Sequence, residues 1–282
     1  MIKNLSTYLL LASLFLFVGF PSIVVGCTSQ TKTMKRVITV SIEPQRYFVK
    51  QIVGDRFKVE TMVSKNSNPE SYDPTLKQIV DLNNSESYFE MGSGLGYENS
   101  WMQKITKNAP HLLIYNASIG MKFTVNKDPH VWESVVNGNI IAENVCRMLV
   151  QLDKNNETYY IQQTMAFKKK LSLLNDSIVK ILKGSDKAFV TYHPSLTYFA
   201  RDYKLKQIAI EDNGKSPSTA QLQKVIETAK QNHVHIVFVQ KEFDAHNAEI
   251  VAKAINAKVV VIDPLAYAWD KQMIYIARQL KH

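Results

Sequence analysis

Apolar segments of two kinds alternate along most of the chain. Short runs rich in Val, Ile and Phe are typical of buried strands, and the longer segments between them repeat apolar residues at the spacing of a helix. This alternation predicts an α/β fold in which helices cover parallel sheets. The predicted strands are 37–42, 57–63, 87–91, 112–115, 188–192, 207–210, 235–239 and 258–262.

One helical pattern in the middle of the chain is longer than the others. It starts at Asn155 and Asn156, which suit a helix cap, and runs to about Leu182, before a Lys-Gly-Ser stop. At about 1.5 Å per residue this helix would span roughly 40 Å and bridge two lobes. A coiled coil is the alternative, although the heptads are ragged. The predicted architecture is a Rossmann-like N-terminal lobe (36–154), a linking helix (155–184) and a similar C-terminal lobe (185–282).

The first 26 residues have the pattern of an export signal. Lys3 precedes an almost wholly apolar stretch at 8–20, which is too short to span a bilayer comfortably. The sequence VVGC that ends at Cys27 resembles the bacterial lipobox, in which small residues precede an acylated cysteine. We therefore predict a signal peptide (1–26), a lipid on Cys27 and a polar tether (27–35). Such a protein is exported and anchored to a membrane, facing the periplasm or the cell exterior; an ordinary secretory signal is the alternative.

Charge and cysteine content narrow the class of protein further. Cleavage after residue 26 leaves 256 of the 282 residues and removes Lys3, which lowers the formal net charge from +9 to +8. The basic residues are scattered and form no stripe with aromatic residues, so they favour solubility and attraction to anionic headgroups over binding of nucleic acid. If Cys27 carries lipid, Cys146 has no partner, and we predict a buried thiol in a fold without disulfides.

Four side chains of the kind that bind metals follow predicted strands or lie in the loops between elements. They are Glu70, His130, His193 and Asp263, two from each half of the chain. In open parallel sheets, ligands bind in the crevice at the carboxyl ends of the strands. Two imidazoles and two carboxylates suit a small divalent cation.

Several motifs in the same order resemble those of one known family. Residues 128–132 (DPHVW) are similar to the DPH-W signature of the cluster A-I solute-binding lipoproteins, which serve zinc and manganese ABC importers. Residues 192–200 (YHPSLTYFA) resemble the family's H-x-x-(F/Y)-x-Y-(F/L)-A segment, and residues 260–265 (VVIDPL) resemble its ending with D-P-L. Residues 218–222 and Val225 are similar to its P-S-x-x-x-L helix. The resemblance covers essentially the whole mature chain.

The resemblance implies a lobe–helix–lobe fold with one metal between the lobes and no enzymatic activity. His130, His193 and Asp263 fall on the family's ligand positions, but Glu70, in the segment PESYDP, stands where the family has a histidine. A carboxylate there makes the site harder and more negative, so Mn²⁺ and Fe²⁺ are alternatives to Zn²⁺, which we rank first. The short segment 119–127 also lacks the histidine-rich loop of many zinc members.

The resemblance further implies an ABC permease and its ATPase as partners, and a monomer. Two functions of other classes stay open from the residues alone. A metal-dependent hydrolase could use the same ligands, although no HExxH-type motif and no evident general base are present. An adhesion-type lipoprotein with a decayed site is suggested by Glu70. Residues 92–96 (GSGLG) lack the lysine of a P-loop, and we predict a flexible turn there with no clean helix after it.

Overall fold

Two parallel β-sheets form the frame of the protein in the computed structural model, which describes residues 36–123, 128–211 and 214–281. The predicted signal peptide, the lipid site at Cys27 and the tether lie outside these residues. Within them, each sheet has four strands, in the spatial orders β2-β1-β3-β4 and β6-β5-β7-β8. The strands are β1 (Val37–Val40), β2 (Lys58–Thr61), β3 (Ser87–Glu90), β4 (Leu113–Asn116), β5 (Ala188–Thr191), β6 (Lys206–Ala209), β7 (Ile236–Gln240) and β8 (Lys258–Ile262).

Helices alternate with the strands and cover the sheets, as the sequence predicts. In β1, Ile38 and Val40 are fully buried and Thr39 is nearly so, because helices cover both faces of the sheet. This explains why the strands appear in the sequence as continuous apolar runs. The helices are α1 (Glu43–Val53), α2 (Leu76–Asn83), α3 (Gly96–Asn108), α4 (Val135–Leu152), α5 (Glu157–Ile181), α6 (Thr197–Tyr203), α7 (Thr219–Gln231), α8 (His246–Ile255) and α9 (Trp269–Gln279).

The long helix α5 joins the two lobes, which confirms the predicted lobe–helix–lobe architecture. It has 25 residues and follows a short 3-10 turn, Lys154–Asn156. Its buried side chains are Tyr160, Thr164, Phe167, Leu171 and Ile178, spaced so that they form one face of the helix. This face packs on α1 and α4 of the first lobe and on α9 of the second. The exact lobe boundaries stay a prediction.

An aromatic cluster holds the lobes against each other. Phe48 of α1 lies 4.8 Å from Trp269 of α9 and 5.5 Å from Phe167 of α5, measured between ring centroids. Gly138 of α4 faces the same rings, and a Cβ there would lie 3.2 Å from Phe48. Because the rings belong to both lobes and to the linking helix, one apolar core runs through all three. We expect the lobes to move little relative to each other.

The structure corrects two expectations. No clean helix was expected after residues 92–96, but α3 begins at Gly96. This helix is hard to recognise because only Tyr97, Glu98 and Ile105 are buried, which leaves a weak apolar face. Cys146 was expected to be buried, but it is only partly buried: it packs against the core from the side of α4 that borders a surface groove. In the part of the chain that the structure describes, no helix is long and apolar enough to span a membrane.

Candidate metal site

His130 is held by a tight turn just before α4. The carboxylate of Asp128 accepts the backbone N–H of His130 at 2.8 Å and lies 2.8 Å from its Nδ1 atom. Burial acts to raise the pKa of Asp128, but the hydrogen bonds and charge of His130 outweigh it and hold this pKa below its ordinary value. An ionised Asp128 fixes the proton on Nδ1, so Nε2 presents its lone pair outward.

His193 is placed by the carboxyl end of β5, by the last residue of β7 and by side chains that follow β6 and β7. The amide of Gln240 donates to the carbonyl of His193 at 2.7 Å and accepts from its N–H at 3.3 Å. The buried carboxylate of Glu211 lies 3.2 Å from Nδ1 of His193. Phe243 stacks on the imidazole, with centroids 5.1 Å apart and planes 16° apart. His193 therefore has the same arrangement as His130, with a carboxylate behind the ring and Nε2 free to face a ligand.

The two imidazoles meet with their Nε2 atoms 3.3 Å apart. Two nitrogen ligands at ~2.0–2.1 Å from a tetrahedral Zn²⁺ lie ~3.3–3.4 Å from each other. The pair thus has the separation that a shared ion requires, although His130 is on the loop before α4 and His193 follows β5. His130 also contacts Trp132, whose indole N–H donates to the carbonyl of Pro264 at 3.0 Å and so ties the first lobe to the second.

A cavity of about 10 Å³ lies beside the imidazole pair, room for about one ion or water. Both lobes supply its walls, which shows that the pair lies between them. The lining residues are Asn68, Pro69, His130, Trp132, His193, Ser195, Glu242, Phe243, Pro264 and Leu265.

Asp263 follows β8 at the same sheet edge, but it faces a different space. Its carboxylate accepts a hydrogen bond from the ammonium of Lys241 at 2.8 Å. Together with Glu242, these two residues line a neighbouring cleft of about 260 Å³ between the lobes. Asp263 therefore lines the space next to the small cavity and is engaged by a lysine.

Glu70 lies at the N-terminus of α3. One carboxylate oxygen accepts the backbone N–H of Gly96 at 3.2 Å, and the other oxygen is buried without a hydrogen-bond partner. The backbone of Glu70 packs so closely on Gly96 that a Cβ there would lie 2.1 Å from the Glu70 carbonyl oxygen. Asn68 and Pro69 of the same loop line the small cavity, whereas Glu70 does not.

The structure brings His130 and His193 together and leaves Glu70 and Asp263 in contact with other groups. Among the described residues, no three His, Cys, Asp or Glu side chains are already arranged to hold one ion. The metal-ligand set predicted from the sequence therefore remains a prediction beyond the imidazole pair.

Sequence reasoning missed three acidic residues at the site. Asp128 was visible in the DPHVW motif, and Glu211 comes directly after a predicted strand, where the rule for crevice ligands applies. Glu242 follows β7 by two residues and lines the small cavity. Burial raises the pKa of Glu242, and nearby Asp263 adds to this, while His193 and His130 oppose it. The carboxyl of Glu242 therefore interacts electrostatically with both imidazoles.

A fourth missed acid, Glu133, is fully buried next to the DPH turn. Neither of its carboxyl oxygens has a hydrogen-bond partner among the described protein atoms. Burial raises its pKa well above the ordinary value, and the charges of Asp263 and Asp128 add to the rise, whereas the side chain of Trp132 opposes it. An unpartnered buried carboxyl is costly, so Glu133 is a strained feature of the site.

Comparisons with known proteins identify the family of the chain. A sequence profile described as zinc-uptake complex component A, periplasmic, matches residues 38–280. The high-affinity zinc uptake system protein ZnuA of Bacillus subtilis (strain 168) is 26% identical over 262 residues, which cover 84% of this chain and 81% of that protein. The manganese ABC transporter substrate-binding lipoprotein PsaA of Streptococcus pneumoniae is 24% identical over 274 residues, covering 91% and 88%.

A solved structure described as the crystal structure of ZnuA superposes with a TM-score of 0.83. It is 34% identical, and the match covers 87% of this chain and 98% of that one. The family predicted from the order of the sequence motifs is thus confirmed. Because the profile spans nearly all of the described residues, the chain belongs to the family of periplasmic zinc-uptake complex component A proteins.

Proposed function

We propose that the protein is the solute-binding component of a metal ABC importer. It captures a divalent transition metal between its two lobes, and Zn²⁺ is the metal that we rank first. The observation that carries this proposal is the pair of Nε2 atoms 3.3 Å apart, each on an imidazole with a carboxylate behind it. The family consists of solute-binding proteins of ABC importers and not of enzymes. Relatives named for zinc and for manganese both match, which supports Zn²⁺ with Mn²⁺ as the alternative.

Capture replaces the water around the ion with side chains of the protein. His130 and His193 supply two neutral nitrogens, and the carboxylates behind them keep both Nδ1 protons in place. Because the imidazoles must be unprotonated to bind, we expect metal affinity to fall as the pH is lowered. This arrangement suits Zn²⁺, while added carboxylates would also suit Mn²⁺ or Fe²⁺.

Asp263 and Glu70 are the proposed carboxylate ligands from the sequence, and each requires a local change before it binds. Asp263 must exchange the ammonium of Lys241 for the metal. Glu70 has one buried oxygen without a hydrogen-bond partner. This oxygen can bind an ion while the other one keeps its contact with the N–H of Gly96. Both changes are side-chain movements, consistent with lobes that share one core.

Calorimetric titration of chelator-stripped protein with Zn²⁺, Mn²⁺ and, without oxygen, Fe²⁺ tests the proposal. We expect one-to-one binding, tightest for Zn²⁺. His193→Ala should weaken binding by more than about a hundredfold, because it removes a metal ligand. Loss of a group that only orients a ligand typically costs about 10–100-fold. His246→Ala, a change at an exposed histidine on α8, is the matched control and should bind like wild type. Binding of none of the three metals by wild type would refute the proposal.

We further propose that the protein acts as a monomer, anchored through lipid on Cys27 outside the cytoplasmic membrane, and delivers the metal to a permease and its ATPase. Relatives named as lipoproteins of metal ABC transporters support the anchor. Radiolabelled palmitate should be incorporated in cells that express wild type and not in cells that express Cys27→Ala. Equal labelling of the two would contradict the anchor.

A further inference from the structure

Glu242 lies between two residues that hold or flank the imidazole pair. The segment after β7 wraps around His193: Gln240 binds its backbone, and Phe243 stacks on its ring. β7 pairs with β5 in the sheet, so Glu242 and His193 both leave the sheet at the same edge, two residues after their strands end. This places the Glu242 side chain in the wall of the cavity that the imidazoles line.

Apart from the fully buried Glu133, which does not line the small cavity, the other carboxylates near the imidazoles are occupied by other contacts. Asp263 pairs with Lys241, Asp128 and Glu211 bind the Nδ1 sides of the two rings, and one oxygen of Glu70 accepts from Gly96. Glu242 differs from these four because the hydrogen-bond partner of its carboxyl is its own backbone N–H. In the described part of the chain, no lysine or arginine lies within ion-pair distance of its carboxyl, and its charge interactions are with His130, His193 and Asp263.

We propose that Glu242 is a metal ligand: it lines the small cavity with His130 and His193 and binds the ion beside them once its side chain turns toward the ion. This inference rests on the proposed function and names a residue that the family motifs in this sequence do not mark. A dication between two neutral imidazoles needs negative charge close by, because the site lies in a low-dielectric space between the lobes. Glu242 supplies that charge without first breaking an ion pair, whereas Asp263 must leave Lys241.

Glu242 borders both of the spaces at the lobe interface. Glu242 and Leu265 line both the small cavity and the larger cleft of about 260 Å³. An ion that enters the cleft would meet the carboxylates of Glu242 and Asp263 there before it reaches the imidazoles.

The test compares Glu242→Gln with Glu249→Gln, which removes the same charge from an exposed position on α8 of the same lobe. Affinity for Zn²⁺ is measured by competition with a chromophoric chelator. Co²⁺ then replaces Zn²⁺, and its visible absorption reports the ligands around the ion. We expect Glu242→Gln to lose more than about tenfold in affinity relative to Glu249→Gln and to change the Co²⁺ spectrum; loss of a distant charge would leave that spectrum as in wild type.

The outcomes separate this inference from the proposed function. Wild type that binds no metal refutes the function itself. Wild type that binds normally, with a Co²⁺ spectrum unaltered in Glu242→Gln, overturns only the role of Glu242. Circular dichroism of the metal-free variants checks folding. If Glu242→Gln does not fold, Glu242→Asp replaces it, and a shortened carboxylate should still shift the Co²⁺ spectrum; an unshifted spectrum would again overturn the inference.

Discussion

Glu98 offers a prediction whose size follows from the structure. Its side chain is only 4% exposed, in the first lobe below the 92–96 loop. Its carboxylate accepts the backbone N–H groups of Met91 at 2.6 Å and Gly92 at 2.8 Å, and the hydroxyl of Ser41. Burial raises the pKa of Glu98 from 4.5 to about 7, and these hydrogen bonds offset only part of the rise.

The raised pKa makes the folded state bind more protons than the unfolded state between pH 4.5 and 7. Stability from this group is therefore complete below pH 4.5 and is lost as the pH rises through about 7. With these two pKa values, the contribution is roughly 2.5 kcal/mol at pH 5, roughly 1.4 kcal/mol at pH 6 and close to zero at pH 8. Glu98→Gln has no such dependence, because an amide does not titrate.

Urea unfolding of both proteins at pH 5, 6, 7 and 8, followed by tryptophan fluorescence, tests this. The free energy of unfolding of wild type minus that of Glu98→Gln should fall by roughly 2.5 kcal/mol from pH 5 to pH 8. If the amide of Glu98→Gln pairs poorly with the N–H of Gly92, this difference changes by the same amount at every pH. Other titrating groups contribute equally to both proteins and cancel in the difference. A difference that is constant across the pH range would show that Glu98 is ionised normally in the folded protein and would refute the reasoning.

Three further predictions concern the surroundings of the imidazole pair. Lys241→Met should raise Zn²⁺ affinity by roughly two- to fivefold, measured by competition with a chelator, because a half-exposed ion pair with Asp263 is worth only about 0.4–1 kcal/mol. Unchanged or weaker binding would show that Lys241 does not compete with the metal for Asp263. Glu133→Leu should raise the free energy of unfolding at pH 7.5 by about 1–3 kcal/mol, since it removes an unpartnered buried carboxyl; a less stable variant in urea would count against it. Glu211→Gln should weaken Zn²⁺ binding by about 10–100-fold, because Glu211 orients the ring of His193. Wild-type affinity in calorimetry would show that Glu211 has no part in metal binding.

The fold could be predicted well because the central strands of each sheet, β1, β3, β5 and β7, are buried on both faces. Such strands appear as continuous apolar runs, and the linking helix is marked by its length and by its stop at Gly184. Helix α3 could not be found in this way. Its stability comes from contacts of Tyr97, Glu98 and Ile105 with the rest of the lobe, and these contacts do not produce a periodic apolar pattern.

The sequence by itself determined the alternation of strands and helices, the motif order and the two histidines of the site. Those features depend on local spacing and on the rule that ligands gather at strand ends. Only the tertiary structure decided which groups contact each carboxylate near the site. Lys241 engages Asp263, Gly96 engages Glu70, and the pairing of β7 with β5 brings Glu242 to His193. Such contacts join residues far apart in the chain, so no local pattern can record them.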